Sequence, residues 1–378
     1  MTKIKCEICG AEVHAIKKHL EDVHPDMELD EYRAAYPDAP LYSEAALKKI
    51  KEISQKKKEV SLSEAGVTRR PLHEVFNIPS DTKGALSAAG GPIPIMVFDT
   101  DEDQFKRDLV PDIDPNYIFN IDTLKVAVMG LECNIPTYLV GMAGTGKSTL
   151  MEQIGARTNR PTFRVQHSGN TEESHILGQY IVKDGETVWE PGPLQIAMKL
   201  GINYLADEYD RAMPQILSVY QPVLEGKQLV TKEAPPEWRI IKPHPDFRFT
   251  ATGNTNGAGD ETGLFPSTNV QDFANFERFG LMIKIDWMPE AQEVAVVSSQ
   301  AGIPKEDAKT LVRFAREVRK QVDAGQISSP VSPRALINAG KIGVRMRDYR
   351  RGLTLAYINR LGQAEAKACD EVAQRFFG

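Results

Sequence analysis

The stretch Gly141-Met142-Ala143-Gly144-Thr145-Gly146-Lys147-Ser148-Thr149 joins three glycines, a lysine and three hydroxyls. It fits the spacing G-x-x-x-x-G-K-[ST], which suits the holding of phosphate. Glycines let the backbone curl until successive N–H groups face the same oxygens. A helix beginning near Ser148 adds the partial positive charge of its N-terminus. Lys147 is then placed to reach the β- and γ-phosphates of a nucleotide such as ATP, and Ser148 to ligate magnesium. Gly141, Gly144, Thr145, Gly146 and Thr149 shape the same cradle.

Further along, Ile202-Asn203-Tyr204-Leu205-Ala206-Asp207-Glu208 is a mostly apolar run ending in two carboxylates. Asp207 would hold the magnesium through water, and Glu208 would act as general base on an attacking water. A third run, Phe247 to Gly253, ends at Asn254, whose amide could orient that water beside the γ-phosphate. An asparagine there also serves as a turn former. Arg278, in Asn275-Phe276-Glu277-Arg278-Phe279, and Arg334, in Ser332-Pro333-Arg334, are candidates for neutralising charge at a transferring phosphate. Their positions alone leave both equally readable as surface arginines.

A separate cluster stands at the N-terminus, Cys6-x2-Cys9-x9-His19-x4-His24. Two thiolates and two imidazoles suit tetrahedral zinc. His19 falls in an expected helix, Ala15 to Asp22, with His24 just past its end, and His14 is a spare histidine outside the set. The spacing resembles the prokaryotic Ros/MucR zinc finger, as do Ile16-Lys-Lys-His-Leu20 and Glu31-Tyr-Arg33. Residues 1–60 carry 11 Lys+Arg against 12 Asp+Glu, so a basic DNA-reading face is not favoured. The run Lys56-Lys57-Lys58 is a local exception that a solvated helix end explains equally well. A structural role for the zinc, in a segment too small to build its own core, ranks above DNA reading.

The elements that must position these groups follow from texture. Residues 1–60 hold the zinc-finger-like cluster and a helix rich in Lys and Glu. A linker is expected over 61–92, ending in Pro79, Gly84, Gly90, Gly91 and Pro92. Apolar strands alternate with helical patterns over 93–288, which argues for a parallel α/β sheet, with the strand Thr137-Tyr138-Leu139-Val140 leading into the phosphate cradle. From 289 to 378 the chain reads as helices only. Two hairpins interrupt the α/β region, Tyr180 to Trp189, turning at Asp184-Gly185, and a second between Gly226 and Phe247.

With 378 residues, 41% of them hydrophobic and 26% charged, the chain has ample material for two or three packed domains. A net charge of −6 does not suggest bulk electrostatic coating of nucleic acid. No apolar run approaches a membrane span or a signal peptide, so a cytoplasmic location is expected. Only Cys6 and Cys9 of the four cysteines are close in sequence, which in a reducing compartment points to metal rather than a disulfide.

From about Val110 onward the chain resembles the MoxR branch of AAA+ ATPases, within it the CobS type, the ATPase subunits of aerobic cobaltochelatases. The blocks that carry the likeness are Val110-Pro-Asp-Ile-Asp-Pro-Asn-Tyr-Ile-Phe119, the cradle, Asp207-Glu-Tyr-Asp210, and Ile241-Lys-Pro-His-Pro-Asp-Phe-Arg248. The last runs on through Asn254-Thr255 and Gly259-Asp-Glu-Thr-Gly-Leu264. Arg211 looks more like general MoxR proteins than CobS, and the segment Ser267 to Asn275 also departs from the CobS pattern. The resemblance implies an AAA+ P-loop core with a C-terminal helical lid, and a ring, usually hexameric, with ATP at its subunit interfaces. It implies Asn254 as the sensor-1 residue, Arg278 as a finger reaching the neighbour's ATP and Arg334 as the sensor-2 residue. It makes the two hairpins the helix-2 and pre-sensor-1 inserts, and implies a CobT-like partner bearing a von Willebrand A domain.

The leading expectation is therefore an ATP hydrolase that remodels a protein client, with ATP, magnesium and zinc as cofactors. A cobaltochelatase-type metal-insertion subunit is the second reading. A motor tethered to nucleic acid through the zinc finger is the third. A plain P-loop kinase would leave Asn254, Arg278 and Arg334 without a role.

Overall fold

The structure, a computed structural model, describes residues 3–27, 29–37, 39–43, 66–100, 103–260 and 263–378. The Lys/Glu-rich helix, the Lys56–Lys58 run, the first residues of the expected linker (61–65) and Glu261 and Thr262 lie outside the described residues. The chain divides into two compact units, Met1–Thr68 and Arg69–Gly378.

In the first unit a two-stranded antiparallel ribbon pairs Ile4–Lys5 with Glu12–Val13. The reversal between them contains Gly10 at φ 75°, a left-handed conformation that glycine adopts without strain. The helices Ile16–Val23 and Leu29–Ala35 follow. Ile16 and Leu20, four apart on one helix face, are buried with Cys6 and Tyr32. The Tyr32 hydroxyl accepts from the Glu7 backbone N–H (3.0 Å), tying the second helix to the turn between the two cysteines.

The second unit is built on a five-stranded, wholly parallel sheet. Its spatial order is Leu281–Ile285, Thr137–Gly141, Arg248–Gly253, Asn203–Asp207, Thr162–Gln166. Asn203–Asp207 and Arg248–Gly253 are buried at every residue, as expected of inner parallel strands covered on both faces. One face packs Tyr138, Tyr204 and Phe249 against Ile176, Leu194, Met198 and Phe276. The other packs Leu139, Leu205 and Ile283 against Leu124, Val128, Leu150 and Ile154, from helices Ile121–Glu132 and Lys147–Arg157. The described part of the expected linker does not run free. Leu72 and Phe76, one helical turn apart, are buried in this second layer, and the turn between them is the helix Leu72–Val75.

The register sets the carboxyl ends side by side, with Gln166 opposite Asp207, Val140 opposite Gly253 and Gly141 opposite Ile285. Ligand crevices of open α/β sheets lie at this edge. Beyond Ile285 the helices Glu290–Ala301, Lys305–Asp323, Pro333–Met346, Tyr349–Ala356 and Gln363–Phe377 share a core of their own. Within it Arg319 and Glu293 form a buried bidentate pair (2.9 and 2.6 Å), and Arg319 also donates to the Val331 carbonyl.

Candidate nucleotide site and metal cluster

Gly144 and Gly146 take left-handed φ of 81° and 90°, which lets the loop curl between the Thr137–Gly141 strand and the helix starting at Lys147. Gly141 is required for a second reason. A Cβ there would stand 2.2 Å from the Ile285 carbonyl of the neighbouring strand. The Lys147 ammonium lies across the mouth of the loop. It donates to the carbonyls of Gly141 (2.7 Å) and Met142 (3.0 Å) and to Asn254 Oδ1 (3.0 Å). Burial lowers its pKa to about 8, against the pull of the Asp210, Asp207 and Glu208 carboxylates.

Asp207 is almost fully buried and its acceptors are in use. Oδ1 accepts from Ser148 Oγ and Thr252 Oγ1, both at 2.5 Å, and Oδ2 accepts from Arg164 Nε (2.8 Å) and Nη2 (2.6 Å). Burial alone would raise the pKa of this carboxyl, but these hydrogen bonds and the guanidinium outweigh it and hold the group below its usual range. Asp207 is thus an ionised carboxylate beside a serine hydroxyl, the donor chemistry that magnesium takes.

Glu208 follows in a left-handed conformation, φ 54°, a strain of about 1 kcal/mol or more for a non-glycine residue. Its carboxylate accepts from Gln166 Nε2 (2.9 Å) and pairs with Arg211 (2.9 Å). Asn254 is fixed through its backbone. Asp210 Oδ2 accepts from the N–H groups of Asn254 and Thr255 (2.8 Å each) and from the Thr255 hydroxyl (2.9 Å). The structure therefore brings Lys147, Ser148, Asp207, Glu208 and Asn254 to one edge.

The first unit gathers its four candidate ligands. The ligand atoms of Cys6, Cys9, His19 and His24 lie within 4.8 Å of one another, and Cys9 Sγ is 3.1 Å from His19 Nε2. His24 Nε2 is buried with no hydrogen-bond partner, an orphaned donor aimed into the cluster. Such a set fits a thiolate- and imidazole-loving metal. His14 instead hydrogen-bonds Ser43 Oγ (2.9 Å).

Residues 136–269 match the family model described as AAA domain (dynein-related subfamily), and residues 293–375 match CbbQ/NirQ/NorQ C-terminal. The aerobic cobaltochelatase subunit CobS of Sinorhizobium sp is 30% identical over 329 residues, covering 85% of this chain and 94% of that protein. The chain belongs to the MoxR-branch AAA+ ATPases. The protein NorQ of Paracoccus denitrificans is 27% identical, over 70% of this chain and 94% of its own length. The mouse von Willebrand factor A domain-containing protein 8 is 28% identical over 58% of this chain and 12% of its own length.

As an AAA+ ATPase the chain hydrolyses ATP. Two of its candidate arginines stand apart from the acidic edge. Arg278 is half-buried, donating to Glu225 Oε1 (2.7 Å) and to the Ala274 carbonyl. Arg334 is exposed and lines a cavity of about 300 Å³ with Gly144, Gly146 and Thr149 of the ATPase loop and with Tyr117, Ile118 and Ile337. Arg164, Thr252, Asp210 and Gln166 escaped the sequence reading as site residues. Arg164 left one signal, a charge inside the short strand Thr162–Gln166. Asp210 was visible only as part of the Asp207–Asp210 block. Among the described residues no helix is long and apolar enough to cross a membrane.

Proposed function

We propose that this ATPase works as a ring, usually six-membered in relatives, that uses ATP hydrolysis to remodel a protein client together with a partner bearing a von Willebrand A domain. The observation that carries this is the division of labour among its charged groups. Lys147, Ser148, Asp207, Glu208 and Asn254 share one edge, while Arg278 is held by Glu225 and the Ala274 carbonyl.

In this reading the loop N–H groups and Lys147 bind the β- and γ-phosphates. Ser148 and Asp207 would hold magnesium, which when bound neutralises charge on the phosphate oxygens. Glu208 takes the proton of the attacking water, and Asn254 orients that water. Arg334 senses the phosphates from the helical bundle, and Arg278 acts on the ATP of the neighbouring subunit. Cys6, Cys9, His19 and His24 would hold zinc, which orders the first unit for recruiting a partner or client. The von Willebrand A protein that shares this module supports the choice of partner.

The test is a trap. Tagged Glu208→Gln protein is loaded with ATP in lysate of its source and what co-purifies is identified. A von Willebrand A protein with further clients is the expected catch. A large chelatase subunit instead would move the reading to metal insertion, which the likeness to CobS favours as the alternative. Lys147→Ala should bind no ATP, and Arg278→Ala should bind it while losing hydrolysis. Normal turnover by Arg278→Ala would remove the finger from the scheme.

A further inference from the structure

Arg360 belongs to none of the patterns that mark the site in the sequence. It ends the short turn Ile358–Arg360, and its backbone N–H donates to the Tyr357 carbonyl (3.0 Å). Tyr357 is buried and anchors the turn, its hydroxyl donating to the Ser329 carbonyl (2.5 Å). Ser329 opens the loop that leads to Ser332, whose side chain caps the helix Pro333–Met346 by accepting from the Ala335 N–H (3.2 Å). That loop lies hard against the phosphate cradle. A Cβ added at Gly144 would stand 2.7 Å from Ser332 Cβ.

One cavity of about 290 Å³ results. Met142, Ala143 and Gly144 form one side, and Arg334 and Arg360 reach it from the helical bundle. Both guanidiniums belong to exposed residues, and neither has an ion-pair partner among the described residues. Two like charges converging on one cavity repel each other unless an anion sits between them. In the nucleotide-site reading the cavity borders the γ-phosphate end, because Met142, one of its lining residues, offers its carbonyl to Lys147 Nζ (3.0 Å), the group proposed to reach the β- and γ-phosphates. The same reading puts the base toward the other cavity, which Gly146 and Thr149 line with Tyr117, Met288 and Ile337. Arg334 lines both cavities, whereas Arg360 lines the γ-end cavity.

We propose that Arg360 contacts the γ-phosphate of ATP bound to its own chain, beside Arg334, and so makes the helical bundle discriminate triphosphate from diphosphate. This rests on the nucleotide-site reading above. The guanidinium fork suits phosphate oxygens bidentately, and a diphosphate leaves it without a partner.

The experiment measures equilibrium affinities of MgATP and MgADP for the full chain in the non-hydrolysing Glu208→Gln background, adding Arg360→Ala, Arg360→Lys or Lys147→Ala. Arg360→Ala should weaken MgATP by about tenfold or more and MgADP by less than about twofold, the loss expected of one charge-assisted contact. Arg360→Lys should recover part of the ATP affinity, and unchanged ADP binding shows that the fold is intact. Equal losses for both nucleotides, or unchanged ATP affinity, overturn the proposal. An Arg360→Ala effect confined to subunit assembly would also overturn it, placing Arg360 at a neighbour. ATP binding that survives Lys147→Ala would instead bring down the nucleotide-site reading itself.

Discussion

Asp210 shows how much of the candidate site depends on residues that hold its backbone in place. One carboxylate oxygen accepts three hydrogen bonds, two from consecutive backbone N–H groups, and so sets the turn that presents Asn254. Asp210→Ala leaves those buried donors unpaired at a cost of about 3 kcal/mol and releases the Asn254 amide. If Asn254 orients the attacking water as proposed, turnover should fall by about tenfold or more, with MgATP affinity nearly kept. Thermal unfolding and steady-state ATPase assays check both, and wild-type turnover in a destabilised variant would detach Asp210 from the chemistry. His167 is a second such residue. Its ring nitrogens meet the Val165 and Asp207 carbonyls and the Tyr220 hydroxyl (2.8 Å), and burial lowers its pKa to about 4 from 6.5. Between those values the unfolded chain binds more protons than the folded one. Its contribution is therefore complete above about pH 6.5 and is lost as pH falls toward about 4, by up to about 3 kcal/mol. Urea midpoints at about pH 7.5 and pH 5 should differ less in His167→Gln than in the parent chain. Equal differences would rule the imidazole out as the source.

At the scale of elements, the two hairpins are tied to each other. The first pairs Gly178–Lys183 with Glu186–Pro191, and the second pairs Leu229–Val230 with Ile240–Ile241. Gln195, fully buried on the helix Pro193–Leu200, accepts from the Trp189 indole (3.2 Å) and donates to Thr231 Oγ1 (2.9 Å) and the Trp238 carbonyl (3.1 Å). One amide thus holds both insertions, and displacement of one strains the other. Gln195→Leu removes all three hydrogen bonds and should raise hydrogen exchange in both hairpins together by about tenfold or more. A change confined to one hairpin would show that they are independent. Legibility in the sequence follows the same local logic. The phosphate loop, the acid pair and both hairpins are contiguous in the chain, so spacing and turn chemistry reveal them. Arg164 and Asp207 are 43 residues apart, and only the register of two parallel strands makes them partners. In the sequence the helix Leu72–Val75 reads as linker because glycines and prolines dominate the stretch after it, while the burial of Leu72 and Phe76 depends on a layer contributed by residues far along the chain.

The whole molecule joins two units whose stability has different sources. Arg69–Gly378 has a sheet covered on both faces and a separate helical core. The fully buried apolar core of the first unit, among its described residues, is Cys6, Ile16, Leu20 and Tyr32, too little to offset the conformational entropy of ordering the segment. A metal held by Cys6, Cys9, His19 and His24 would cross-link the ribbon to the helix Ile16–Val23 and supply what the core lacks. Treating the full chain with a zinc chelator, then restoring magnesium, should therefore expose residues 1–68 to limited proteolysis while MgATP affinity stays within about twofold, since the residues proposed to hold the nucleotide all belong to the other unit. Cys9→Ser should reproduce the proteolytic pattern without a chelator, and added zinc should reverse the first treatment but not the second. Protein that as purified contains no zinc, and whose first unit resists protease equally with and without chelator, would mean that the four ligands serve no metal and that the segment is ordered by other means.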